Sequence, residues 1–177
     1  MKGAANRGLF VLRAQPIHKG HVEAIQSVLR EVDELVIAIG SAQLNYTPEN
    51  PFTVGERIEM LRAALDEAGI DARRIIIVPV PDIHSHRTWV SHVISFSPRF
   101  GVVYSNNPTV VLPFKDAGYK VRPLPPFNRK EYSSTNIRQR IATDKRWEDL
   151  VPASVVGYIR EIGGEERIRT LTRSKWI

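Results

Sequence analysis

Leu9-Phe10-Val11-Leu12-Arg13-Ala14-Gln15-Pro16-Ile17-His18-Lys19-Gly20-His21 is the stretch that decides the fold. It opens on four apolar residues and passes through a short polar loop. Val22, Ile25, Val28, Leu29 and Val32 then recur at helical spacing. That pattern is strand, loop, helix. Leu35-Val36-Ile37-Ala38-Ile39 follows without a polar break and stops at Gly40, as expected of a strand covered on both faces of a parallel sheet. One βαβ unit is complete within the first forty positions.

Working outward, Thr53-Val54-Gly55-Glu56 has the spacing of a capping box, with Ile58, Met60, Leu61, Ala64 and Leu65 as an apolar stripe ahead of Gly69. Ile75 to Val80 reads as a third strand, Trp89 to Ile94 as a short helix, and Gly101 to Tyr104 as a fourth strand that exits through Ser105-Asn106-Asn107-Pro108. Val110 to Ala117 is a helix interrupted by Pro113, Tyr119 to Arg122 a fifth strand, and Pro123 to Phe127 an extended proline-rich loop. One further helix starts near Ser134-Thr135. Another carries Val155, Val156, Ile159 and Ile162 and stops at Gly163-Gly164. The expected fold is an α/β Rossmann-like doubly wound parallel sheet of five or six strands with C-terminal helices. Its ligand crevice is expected at the carboxyl ends of the strands, reached by right-handed crossovers.

The 177 residues, 42% of them hydrophobic, are enough for one domain with a core of its own. The expectation is a single domain over 1–177, with 165–177 as a mobile basic tail carrying Arg167, Arg169, Arg173 and Lys175. Cysteine is absent, which removes disulfides, thiolate metal sites and cysteine nucleophiles. No apolar run approaches the length of a membrane span and no secretory leader is visible, so a cytoplasmic protein is expected. The net charge of +6 suits a polynucleotide or a phosphorylated small molecule equally well.

His18 and His21 stand three apart at a helix start, on one face, where free N–H groups and the helix dipole favour a polyphosphate. Gly20 lets a ligand approach the main chain. Two other readings of this pair stay open: surface histidines near a turn, or two ligands of a metal whose third is not evident, since His84, His86 and His92 lie far along the chain. Tyr132-Ser133-Ser134-Thr135-Asn136-Ile137-Arg138 offers hydroxyls, a helix N-terminus and a forked cation one turn in. Alone, it is also a plain N-cap followed by a solvated arginine. Arg129, Lys130, Arg138 and Arg140 make this the most basic stretch of the chain.

Arg13 to His21, paired with Ser133 to Arg138, resembles the HxGH and SSTxxR signatures of a nucleotidyltransferase superfamily. Ile39 to Gln43, Asn50 to Arg57, Asp82-Ile83 with Trp89-Val90, and Tyr104 to Pro108 are similar to the archaeal type of nicotinamide-nucleotide adenylyltransferase. The resemblance runs from about Gly8 to Gly164. It implies that nicotinamide mononucleotide attacks the α-phosphate of ATP in line, giving NAD and pyrophosphate, with magnesium carried by the phosphates and no metal cage of protein ligands. It also implies catalytic roles for His18, His21, Arg13 and Arg138, and ATP contacts from Gln15, Gly20, Ser133, Ser134, Thr135 and Asn107. Nicotinamide-nucleotide contacts fall to Ser41, Gln43, Asp82, His86 and Trp89. A homo-hexamer is implied as well.

Trp89 on its own could equally be a core aromatic, and Ser41, Gln43 and Asp82 simple turn residues. The chain departs from the family pattern where Leu12 replaces a glycine, Ala14 an aromatic or methionine, Ile17 a phenylalanine and His86 an asparagine. Two rival functions remain at this level. One is the same ATP site serving another acceptor, such as a flavin or pantetheine phosphate. The other is a nucleotide sensor or nucleic-acid-binding module, for which basic residues clustered at phosphate loops rather than along an aromatic strand face speak poorly.

Overall fold

A computed structural model describes residues 6–83, 88–125 and 132–173. The chain forms two compact units. The first comprises residues up to Leu12, Ala24–Ala42 and Asp71–Pro125; the second comprises Arg13–Glu23, Gln43–Ile70 and the chain beyond Pro125.

The first unit holds the sheet. Strands β1 (Arg7–Leu12), β2 (Glu34–Ile39), β3 (Ile75–Pro79), β4 (Val102–Tyr104) and β5 (Lys120–Arg122) lie in the order β3-β2-β1-β4-β5, every pair parallel. This is the expected doubly wound sheet, with five strands. The unbroken apolar runs of β1 and β2 occupy its centre, where Leu9, Leu35, Val36, Ile37, Ala38 and Ile39 lose all contact with solvent. β3 is an edge strand, half-buried, and ends on Pro79, whose missing N–H costs no central ladder bond there. β1 begins two residues before its apolar run because Arg7 forms an ion pair with Glu34 and also bonds the Arg99 carbonyl.

Helices α3 (Trp89–Phe96) and α4 (Pro108–Asp116) cover this sheet with Val90, Val93, Val110 and Phe114. Phe114 is the hub of an edge-on aromatic cluster with Trp89, Phe100 and Tyr119. α4 starts two residues earlier than its apolar pattern suggested, since the Asn107 side chain caps it by accepting from the Thr109 N–H. The helix continues through Pro113, which stands only one turn in. The proline-rich loop is described only to Pro125; its Pro126 and Phe127, with the basic Arg129 and Lys130, lie outside the described residues.

The second unit is helical. α1 (Lys19–Val28) starts in it, and α2 (Val54–Glu67), α5 (Ser134–Ala142), α6 (Ala153–Glu161) and α7 (Gly164–Arg173) belong to it. Both halves of the capping box of α2 are made: Thr53 accepts from the Glu56 N–H, and Glu56 accepts from the Thr53 N–H. Glu67, at the other end of α2, accepts from the N–H groups of Ala153 and Ser154 and so caps α6.

Gly163, at φ +64°, ends α6 as expected, but the chain does not then become a loose tail. It enters α7, with Ile168 buried, Arg167 paired to Glu56, Arg169 paired to Asp144, and Glu165 accepting from the Trp147 indole. Lys175 lies outside the described residues. Among the described residues no helix is long and apolar enough to cross a membrane.

Two glycine substitutions should move stability in opposite directions. A Cβ on Gly164 would sit 2.9 Å from the Phe52 ring and 3.0 Å from the Ile159 carbonyl oxygen, whereas one on Gly157, inside α6, meets nothing within 4 Å. Gly164→Ala is expected to cost about 1–3 kcal/mol. Gly157→Ala is expected to gain about 0.5–1 kcal/mol. Urea denaturation midpoints check both signs.

Candidate phosphate site and its family

In the second unit the loop Arg13–His18 leads into α1 and is bonded to segments far away in sequence. Ala14 holds φ +51° and Gln15–Pro16 is a cis peptide. Gln15 is 1% exposed, and its side-chain amide pairs with the Phe52 backbone at both ends, donating to the carbonyl (2.9 Å) and accepting from the N–H (3.1 Å). The Gln15 side chain thus ties the Arg13–His18 loop to the Phe52 backbone. Arg57 is fully buried on α2, donating from Nη1 to the Arg13 carbonyl (3.0 Å) and from Nε to the Thr53 carbonyl (3.4 Å).

The start of α5 meets the same loop. Ser133 caps the helix by accepting from the Asn136 N–H. Ser134 donates its hydroxyl to the Pro16 carbonyl at 2.9 Å. Arg138 donates from Nη1 to the Gln15 carbonyl (2.7 Å), from Nε to the Pro48 carbonyl (3.0 Å) and from Nη2 to the Thr135 hydroxyl (3.4 Å). Gly20 also has a structural reason to be glycine, because a Cβ there would meet Tyr132 Cβ at 3.0 Å and the His18 ring at 3.3 Å. The two motifs are thus one assembly. The N-terminal turns of α1 and α5 each leave backbone N–H groups without intrahelical partners.

His18 and His21 stack, with ring centroids 3.6 Å apart and planes 20° from parallel. Each Nδ1 faces the other residue's backbone N–H, at 3.3 and 3.4 Å, and so acts as an acceptor. That fixes the proton on Nε2. Burial, joined by the charge of its neighbour, drives His18 down to about 2, and burial drives His21 down to about 4. At neutral pH both rings are uncharged and offer Nε2–H as a donor. The positive charge of the site comes instead from Arg13, which is exposed, and Arg138, whose pKa is lowered by burial and by the Arg13 charge. The two guanidinium groups repel each other, Glu49 offsets part of that repulsion, and the nearby helix N-termini add to an environment that suits a further anion. Among the described residues no group of three or more His, Cys, Asp or Glu gathers as a metal site.

The expected acceptor residues in the first unit lie at the carboxyl ends of its strands. Asp82, after β3, accepts from the Ser41 N–H, after β2, at 3.2 Å, so these two are brought together. Ser41 is buried and holds φ +51°, while Asp82 is exposed. Trp89 opens α3, half-buried and edge-on to Phe114 at 5.5 Å. Asn107 is exposed and uses its carbonyl oxygen to cap α4. Gln43 belongs to the second unit and is exposed. His86 lies outside the described residues.

Residues 9–140 match the family model described as Cytidylyltransferase-like. A relative from Pyrobaculum neutrophilum, called nicotinamide-nucleotide adenylyltransferase, is 52% identical over 92% of this chain and 92% of its own. Relatives of the same name from Pyrococcus horikoshii (53% identity, 93% of this chain, 88% of that one) and Saccharolobus solfataricus (48%, 94% and 96%) agree. The chain belongs to the nicotinamide-nucleotide adenylyltransferase family.

The fold of this family member also matches a bifunctional NMN adenylyltransferase/ADP ribose pyrophosphatase from Francisella tularensis, solved with AMP and a manganese ion. The TM-score is 0.80 at 18% identity, over 94% of this chain and 52% of that one. This chain spans about half the length of that protein. The three departures in the loop region are absorbed by packing, since Leu12, Ala14 and Ile17 are all buried. Leu12 pairs within β1 with a regular partner, Ile39, and its carbonyl accepts from the Gly40 N–H.

The resemblance at Asn50 to Arg57 gives Arg57 no role; its bond to the Arg13 carbonyl and the Pro48 contact to Arg138 come from the structure. Arg57 did leave a signal: it sits at helical spacing with Met60, Leu61 and Ala64, a charge inside an apolar stripe.

The neutral histidines make stability pH-dependent. Unfolded, each ring takes up a proton as pH falls through 6.5; folded, His21 resists to about 4 and His18 to about 2. The unfolded state thus binds more protons across that window, so stability falls with pH from 6.5 toward 4. The slope is up to about 1.4 kcal/mol per pH unit for each ring. Urea midpoints at several pH values should show this decline, and His18→Gln with His21→Gln should flatten it. An unchanged slope would mean that the folded rings accept protons freely.

Proposed function

We propose that the chain transfers the adenylyl group of ATP to nicotinamide mononucleotide, with the triphosphate held by the assembly around Arg13, His18, His21 and Arg138. The observation that carries this is the bonding of the Arg138 guanidinium to the Gln15 carbonyl, which holds a second cation at the loop that presents the histidine pair. Family membership supports nicotinamide mononucleotide as acceptor.

In this reading a phosphate oxygen of nicotinamide mononucleotide attacks the α-phosphorus of ATP. A new P–O–P bond forms as the bond to the β-phosphate breaks, and pyrophosphate leaves with the electron pair. The residues bind, align and stabilise charge; none needs to become a nucleophile. Alignment of two bound substrates is worth roughly 7–11 kcal/mol of the barrier. Arg13 and Arg138 meet the charge on the phosphates, and the Nε2–H groups of His18 and His21 donate to phosphoryl oxygens. Ser133, Ser134, Thr135 and the open N–H groups of α1 and α5, Gly20 included, complete the binding of the β and γ groups. Asn107 is assigned to ATP as well.

Trp89, Ser41, Asp82, Gln43 and His86 are assigned to the nicotinamide nucleotide. The indole suits the flat cationic ring. Magnesium fits as an ion brought in on ATP, its ligands the phosphate oxygens; bound there it would neutralise charge that builds on the leaving pyrophosphate. We assign the reaction to the cytoplasm, where ATP is available, and the assembly to a homo-hexamer, for which exposed Ile94, Phe96 and Leu112 supply apolar surface.

Incubation with ATP, magnesium and a panel of nicotinamide mononucleotide, flavin mononucleotide and pantetheine phosphate should give a dinucleotide with the first. Product only with another member of the panel would overturn the acceptor. His18→Ala and Arg138→Ala should each lower turnover by about 10²–10³, the cost of one charge-stabilising donor. Near-normal rates in both would contradict the phosphate site. Trp89→Ala should raise the Michaelis constant for the nicotinamide nucleotide far more than that for ATP, and equal effects would make Trp89 a packing residue only.

A further inference from the structure

Arg167 on α7 bonds to both ends of the 46–53 loop, which contacts the candidate phosphate site. Its Nη1 donates to Glu56 Oε2 at 2.7 Å and to the Pro51 carbonyl at 3.3 Å, and its guanidinium lies 4.9 Å from the centroid of the Tyr46 ring. The Arg167 and Glu56 side chains are 18% and 16% exposed, so the pair is weakly screened. Glu56 Oε2 also accepts from the Thr53 N–H, which fixes the end of the loop where α2 begins. Burial alone would raise the Glu56 carboxyl, but Arg167 and Thr53 outweigh it and hold it below the usual range.

The loop between these anchors is cross-linked on itself: Thr47 and Asn50 exchange backbone hydrogen bonds, and the Asn50 N–H also donates to the Thr47 hydroxyl. The same loop makes two contacts to the candidate site. The Pro48 carbonyl accepts from Arg138 Nε, and the Phe52 peptide pairs with the Gln15 amide. Every element of this chain of bonds lies in the second unit. A displacement at Tyr46, Pro51 or Thr53 therefore passes to Pro48 and Phe52, and from them to Arg138 and the Arg13–His21 loop.

We infer that Arg167 is a positioning residue for ATP: through Glu56, Pro51 and Tyr46 it sets the 46–53 loop, which in turn aims Arg138 at the triphosphate. This rests on the assignment of Arg138 to the phosphates. It gives α7, whose sequence looks like a charged tail, a place in catalysis at a distance from the reacting atoms.

The test is steady-state kinetics of the full chain, with both Michaelis constants measured for Arg167→Ala, Arg167→Lys, Glu56→Gln, Arg138→Ala and the double variant of Arg167 and Arg138. Arg167→Ala should raise the ATP Michaelis constant roughly tenfold to a hundredfold, the scale of a small misplacement, and leave that for nicotinamide mononucleotide within about twofold. Arg167→Lys keeps the charge but loses the planar fork, and should recover part of the effect. In the Arg138→Ala background the Arg167 substitution should add almost nothing.

If Arg167→Ala does not fold, Arg167→Lys and Glu56→Gln carry the same expectation in smaller measure. A fall in turnover with both Michaelis constants unchanged, or full additivity with Arg138→Ala, would make Arg167 a stabilising residue only and overturn the inference. An Arg138→Ala enzyme with normal ATP affinity would instead overturn the phosphate assignment, and this inference with it.

Discussion

The constraint on which the candidate phosphate site depends is the tethering of the Arg138 guanidinium to two carbonyls of distant loops. Its donors reach Pro48 and Gln15, 90 and 123 positions away in sequence. A half-buried guanidinium loses hydration, and its pKa is lowered for that reason and because Arg13 is near. Two backbone carbonyls compensate the lost water without neutralising the charge, which a carboxylate in the same place would do. The arginine is thereby held in place as a cation, with Glu49 near enough to offset part of the repulsion from Arg13.

The histidines solve the complementary problem. Two imidazolium rings 3.6 Å apart would repel, and burial would make each costly. Holding both rings neutral, with each Nδ1 turned to a backbone N–H, leaves two donors whose direction is set before any ligand arrives. Charge and direction are thus divided between residue types: arginines supply the field, while imidazoles and helix N-termini supply aimed donors. Preorganisation of this kind needs little rearrangement as charge shifts between phosphates.

Much of this was legible in the sequence, and the illegible parts have physical causes. Parallel central strands are covered on both faces, so Leu9 to Leu12 and Leu35 to Ile39 could be read as such, with only Val11 partly exposed; the capping box at Thr53 and Glu56 is a local signature and is formed as written. The candidate site residues could be named by motif, but not their partners within the chain, such as Phe52 for the Gln15 side chain. Gly20 likewise makes room for His18 and Tyr132. α7 escaped because its polar composition buries only Gly164 and Ile168. Its attachment rests on bonds from Arg167, Arg169 and Glu165 to partners 18 to 116 positions away. Tertiary ion pairs leave no periodic trace in a sequence.

In the proposed reaction the α-phosphate of ATP passes directly between two bound substrates. A single-turnover reaction with ATP radiolabelled at the α-phosphate, in the presence of magnesium and nicotinamide mononucleotide, follows that group. The label is expected in a nicotinamide dinucleotide, with unlabelled pyrophosphate and none on the protein at any time. Label released as AMP, or held covalently by the chain before product forms, would contradict it.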